Sequence, residues 1–203
     1  MPSLTNVYLP RAFEYKDGVT ITGGTHFIPL SRLDIGALHP FFNIPSPEMY
    51  EYCMSILRGS DEMTDLVIGG YACPFDSVTA FDLSVYPRLK SVTIGDYGFE
   101  YVNVFNITGL SELESVEIGM NSFTKKKNGY GSDPNRHFYL KNCPKLKSLK
   151  MGRYSFSDYT VIEIESVDAL EVIEMGELNN LNEDSYNFYS ASLELKSILI
   201  HRE

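Results

Sequence analysis

Ser122 and Lys125 stand three apart in Ser122-Phe123-Thr124-Lys125, the Ser-x-x-Lys spacing of some acyl-transfer enzymes. Two fixed positions in four arise often by chance, and no other part of that machinery is visible in the chain. His26, His39, His137 and His201 are scattered, none at metal-ligand spacing from another histidine, cysteine or carboxylate. They read as surface or loop histidines, so neither a metal nor another cofactor is expected. Cys53, Cys73 and Cys143 are widely spaced and form no metal-like pair. Asn106-Ile107-Thr108 is a glycosylation sequon, usable in a secreted chain. Lys125-Lys126-Lys127 could dock an acidic partner or form part of a nuclear import signal, although three lysines in a solvated loop ordinarily serve solubility. No catalytic constellation emerges, and the expectation is a protein that is not an enzyme.

What must position these residues is a repeat. Leu89–Glu112, LKSVTIGDYGFEYVNVFNITGLSE, opens with an apolar-x-x-apolar-x-apolar core that recurs from Met63, Leu113, Leu146, Leu170 and Leu195. Leu89, Val92, Ile94, Phe99, Phe105, Ile107 and Leu110 mark the positions that stay apolar, so these point inward. Cys73 falls on the Phe99 position and Cys143 on the Leu110 position, and both read as small core residues. Val92, Thr93 and Ile94 alternate in, out, in, as do Phe105, Asn106 and Ile107, which predicts two short strands per unit rather than a strand and a helix. One unit cannot bury enough surface to offset the entropy of ordering it, so stability must build from neighbour to neighbour. A glycine follows each first strand, at Gly69, Gly95, Gly119, Gly152 and Gly176, where a turn angle or a close approach would exclude a Cβ.

The Leu-x-x-Leu-x-Leu pattern resembles the conserved segment of leucine-rich repeats, and the following Gly and Phe are similar to the BspA-type subgroup. The likeness covers Met63 to Ile200. It implies a mainly β, right-handed solenoid with short strands on both faces, and partner binding without a particular partner. The asparagine ladder of such repeats survives only as Asn121, with Tyr71, Tyr97, Tyr154 and Leu178 at the equivalent places. Hydrogen bonding in the turns must therefore be supplied otherwise.

Two domains follow. Residues 1–62 form a small N-terminal cap with a degenerate first repeat at Leu30-x-x-Leu33-x-Ile35 and one helix, from Ser46 or Pro47 to near Gly59, on which Met49, Tyr52, Cys53, Ile56 and Leu57 share a face. Such a helix would cover the first regular repeat. Residues 63–203 are the array, with starts near 63, 89, 113, 146, 170 and 195. The unit from Leu113 runs 33 residues against 24 for the one before it. Its surplus, Lys125 to Pro134, is polar and is expected to protrude as a dispensable loop. In the unit from Leu170, Asn180 stands where Phe is expected.

Of the 203 residues, 43% are hydrophobic and 22% charged, an ordinary soluble composition with no run able to cross a bilayer. A net charge of −10 argues against nucleic acid and anionic lipid as partners and favours a basic one. The first residues carry no secretory signal, so a cytoplasmic location is expected, or the cell surface or exterior if the chain is trimmed.

The outward positions of the first strands gather the most informative set: Val67, Thr93, Glu117, Lys150, Glu174 and Leu199, flanked by Asp96, Met120, Arg153 and Glu177, with small Ser91, Ser115, Ser148 and Ser197 beside them. Alternating charge can be a ladder of cross-strand ion pairs, each contributing about 0.2–1 kcal/mol. It can equally be a recognition stripe. The expectation is a protein- or peptide-binding module using Glu117, Lys150, Arg153, Glu174 and Glu177; the alternative is a structural unit that self-associates through its C-terminal edge.

Overall fold

The computed structural model describes residues 6–9, 32–35, 47–176 and 185–196. The chain is mainly β, a solenoid of about five turns built from parallel strands with one helix near the N-terminus. The first sheet stacks β1 (Asn6–Leu9), β2 (Arg32–Ile35), β3 (Asp65–Ile68), β5 (Ser91–Ile94), β7 (Ser115–Ile118), β9 (Ser148–Met151) and β11 (Val172–Met175) in that order. The second, on the far side of each turn, stacks β4 (Ala80–Asp82), β6 (Val104–Thr108), β8 (Asp133–Lys141), β10 (Tyr159–Glu165) and β12 (Ser192–Lys196). Strands are thus present on both faces at the spacings the alternating pattern requires.

Register follows the apolar pattern. Leu66, Val92, Val116 and Leu149 are Cα partners across the first sheet, and Phe81, Phe105, Phe138 and Ile162 across the second. All eight side chains are buried in one continuous core between the sheets. The degenerate repeat is real in register: Leu33 pairs with Leu66 and Ile35 with Ile68. A further strand, β1, pairs Val7 with Leu33 and Leu9 with Ile35. Leu4-x-x-Val7-x-Leu9 carries the same spacing and was the available signal for it.

Helix α1 (Pro47–Arg58) lies where sequence places it, but it does not close the first sheet, which extends two strands beyond β3. In chain order it stands between β2 and β3, the place a far-side strand occupies in later units. Cys53 and Ile56 enter the core, and Tyr86 donates its hydroxyl proton to the Ile56 carbonyl at 2.6 Å. Gly59, at φ +77°, ends the helix, and an added Cβ there would lie 2.3 Å from the Val85 carbonyl oxygen. Cys53 is joined by a disulfide to Cys73, which is buried as expected but not free. Cys143 is the free, buried thiol.

The turns depart from the expected chemistry. Gly119 is kept for closeness and not for a turn angle: a Cβ would come within 2.6 Å of the Asp96 nitrogen and the Gly95 carbonyl carbon. The left-handed angles fall on its neighbours, at Tyr71, Tyr97, Asn121, Tyr154 and Tyr186, and again at Cys73, Phe99, Phe123, Phe156 and Phe188. Each such angle costs about 1–2 kcal/mol. The cost is offset in the stack, because N–H groups of these residues reach neighbouring turns: Tyr97 to the Met120 carbonyl at 2.9 Å, Phe123 to that of Gly98 at 2.9 Å. A ladder of Ser122, Ser155 and Asn187 stands in for asparagine. Ser122 Oγ donates to the Gly95 carbonyl at 2.8 Å, Ser155 Oγ to Gly119 at 2.6 Å, and Asn187 Nδ2 to Gly152 at 2.8 Å.

Two assignments are corrected. The fifth unit carries an insertion after Gly176, so Tyr186 and Phe188 hold the turn positions, and Leu178 and Asn180 lie outside the described residues. Phe188 stacks on Phe156 at 5.0 Å. Leu195 consequently opens no sixth unit; it pairs with Ile164 in the far-side sheet. The strand expected at 198–200 lies outside the described residues. The second correction concerns Lys125–Pro134, which is exposed at Lys125, Lys126, Asn128, Tyr130, Ser132 and Pro134, as a loop should be, but is tied to the neighbouring turns by hydrogen bonds. Asn121 and Asn128 exchange two hydrogen bonds, the Gly131 amide donates to the Ser157 carbonyl, and Asp133 already belongs to β8.

Candidate functional site

The outward row of the first sheet is positioned as the period of two demands. Val67, Thr93, Glu117, Lys150 and Glu174 are successive Cα partners. Their inward neighbours on either side are buried in β5, β7 and β9, which fixes the row on the opposite surface. Lys150 Nζ lies 3.6 Å from a carboxylate oxygen of Glu174, with the lysine half exposed. Glu117, also a register neighbour of Lys150, is exposed and makes no ion pair among the described residues. The stripe is therefore one closed pair beside one open carboxylate.

The flanking positions are less available than their spacing implies. Arg153 is half buried, its guanidinium carbon 5.8 Å from the ring centroid of Tyr154, and its carbonyl accepts the Asn121 amide. It does not join Lys150 as a second exposed cation. Glu177 and Leu199 lie outside the described residues. Asp96 is spent internally, its Oδ1 accepting the Met120 amide at 2.8 Å. Ser91 does more than leave room: its hydroxyl donates to Asp65 Oδ1 at 2.5 Å, while Thr64 donates to Asp65 Oδ2 at 2.9 Å. At the rim before the strands, Glu112 pairs with Lys145 at 2.8 Å and Glu114 with Lys147 at 3.8 Å. The Lys145 ammonium, by hydrogen bond and charge, holds the Glu112 carboxyl below its ordinary value.

The other sequence candidates resolve as structure. Ser122 is buried in the ladder and also accepts the Gly98 amide, so its hydroxyl is committed on both sides. Lys127 donates to the Asn121 and Thr124 carbonyls at 3.0 and 2.8 Å and pairs with Glu100 at 3.5 Å. Burial pulls its pKa down while Glu100 acts in the opposite direction. Lys125 lies over the Tyr101 ring at 5.6 Å. Lys127 is thus turned to internal contacts, while Lys125 and Lys126 stay exposed. His137 is hydrogen-bonded at both ring nitrogens, to the Tyr139 hydroxyl and the Pro134 carbonyl. Burial pushes the Cys143 thiol pKa up. Among the described residues no group of histidines, cysteines and carboxylates could hold a metal ion, and no helix is long and apolar enough to cross a membrane.

Three features escaped the sequence reading. The Cys53–Cys73 bond had no spacing signal. The wholly buried Arg136 stood in a polar run that reads as loop. Tyr130, Tyr186 and Tyr189 form a cluster with centroids 4.3 to 5.4 Å apart, which the recurrence of Tyr at one turn position could have suggested. Comparison with protein families, with curated proteins and with solved structures finds no match.

Proposed function

We propose that the chain is a right-handed leucine-rich-repeat solenoid of the BspA-type kind and that it binds a protein or peptide, without catalysis, along the outward row of its first sheet. The recurring Leu-x-x-Leu-x-Leu core supports the family reading, and the general right-handedness of parallel strand crossovers supports the hand. The observation that carries the binding reading is Glu117, exposed at the middle of an in-register strand array while its neighbour Lys150 is taken by Glu174. An unpaired carboxylate in an ordered row, on a chain of net charge −10, favours a segment carrying Lys or Arg over nucleic acid or an anionic membrane.

Selection of a random peptide library on the parent protein tests this. Enriched peptides should be basic, and Glu117→Lys with Glu174→Lys should weaken them at least tenfold with the fold retained. Lys150→Glu with Arg153→Glu should change affinity in the opposite direction. Peptides that bind all variants alike would move recognition away from the row. A second reading, assembly through the C-terminal edge, is favoured by Val172 and Ile173, which are 42% and 41% exposed on β11, the end strand of the first sheet among the described residues. Mass that rises with concentration in light scattering would support it.

A further inference from the structure

We infer that Cys53–Cys73 is a clasp closed by thiol–disulfide exchange in an oxidising compartment, and that it fastens α1 to the unit containing β3 and β4. Cys73 stands at the turn position that Phe99, Phe123, Phe156 and Phe188 fill in the following units, with the same left-handed angle. Those four rings form an unbroken column with centroid steps of 5.1, 4.9 and 5.0 Å. At Cys73 the turn position carries no ring: Phe81 of β4 stacks on Phe99 at 4.8 Å, and Cys73 is linked covalently to the helix instead. The two Cα atoms are 5.2 Å apart, inside the range a disulfide spans without backbone movement, and both residues are buried.

The noncovalent contacts of α1 converge on the same unit. Tyr50 packs edge-on to Phe75 at 5.2 Å, Tyr86 bonds to the Ile56 carbonyl, and the Ser60 amide donates to the Val85 carbonyl at 3.1 Å. The link therefore fixes a contact that folding already makes. The third cysteine is kept out of the exchange: Cys143 is buried beside β8, hydrogen-bonded to the Lys141 carbonyl, and its thiol is held protonated by burial.

Closure oxidises the two thiols: Cys53 and Cys73 lose two protons and two electrons, one S–S bond forms, and an external disulfide such as oxidised glutathione is cleaved to two thiols. Structural disulfides form and persist in oxidising compartments and are rare in a cytosol, so the clasp points to a secreted, surface or lumenal setting in place of the cytoplasm expected from the first residues.

Cells producing the protein are quenched in acid, and the denatured protein is alkylated with and without prior reduction and weighed. One label without reduction, on Cys143, and three with it are expected; three labels without reduction would overturn the compartment. For the clasp, hydrogen exchange of the purified oxidised protein is followed through reduction by dithiothreitol. Protection of 47–58 should fall while that of β7 and β9 persists. Unchanged protection of 47–58 would show that packing alone holds the helix, and a Cys73→Ala variant should exchange as the reduced protein does.

Discussion

Arg136 Nη1 lies 3.2 Å from Asp158 Oδ1, and both side chains are almost wholly out of water. The same guanidinium donates to the Phe123 carbonyl at 3.1 Å and to the Glu100 carbonyl at 2.6 Å, and its carbon sits 5.5 Å from the Tyr159 ring centroid. One cation thereby ties three successive turns. Because a buried ion strands its partner when removed, Asp158→Leu should destabilise by about 3–5 kcal/mol, whereas Arg136→Met with Asp158→Leu should recover most of the loss. Urea denaturation of the two variants checks it.

Phe123 is fully buried between Phe99 at 5.1 Å and Phe156 at 4.9 Å, with Phe105 at 4.4 Å. Phe123→Ala leaves a cavity shared by two neighbouring turns and should cost about 3–5 kcal/mol. An unaltered thermal midpoint would place the ring outside the core.

Deleting Lys125–Asp133 should damage the fold, contrary to what the surplus length of that segment suggests. The deletion removes Asp133, whose carboxylate lies 3.8 Å from Arg136 Nε, and the Lys125 amide that donates to Asp158 at 3.1 Å. The Arg136–Asp158 pair remains, but the buried Asp158 oxygen and the Ser157 carbonyl lose their amide donors, which should cost about 1–3 kcal/mol, above the entropic gain of a shorter loop. Circular dichroism melting should show a lower midpoint and a broadened transition.

Gly119→Ala and Gly129→Ala separate closeness from exposure. The first Cβ would meet backbone of the preceding turn at 2.6 Å; the second meets only the Lys127 carbonyl at 3.8 Å. Gly119→Ala should lower the urea midpoint clearly, and Gly129→Ala should leave it within the error of measurement.

Acid should act through Asp133. The Asn135 amide and side chain, then the Arg136 and Lys125 charges, hold its carboxyl below the ordinary value of 3.8. A carboxyl depressed in the folded state contributes stability that is fully present above 3.8 and is lost as pH falls through the lower folded value. Asp133→Asn keeps an acceptor for the turn but removes the titration, so its denaturant midpoint should decline less than the parent's below pH 3.8.

The spacing of Leu89, Val92 and Ile94, and of Phe105 and Ile107, by itself determined two strands per unit, their inward faces and the register that carries Leu33 into line with Leu66. A period of two leaves one choice of buried face, and repetition fixes neighbours, so both are written locally. It also placed Glu117, Lys150 and Glu174 in one row. Everything that breaks the repeat waited on the tertiary structure. The insertion after Gly176 hid the place of Phe188 in the ring column, and only stacking against Phe156 identifies it. A separation of 20 positions between Cys53 and Cys73 says nothing of a bond until α1 docks beside β3. Arg136 reads as a loop cation until three separate turns close around it. Such contacts join residues that share no period, and their energies depend on how distant turns meet in space, which a local pattern does not encode.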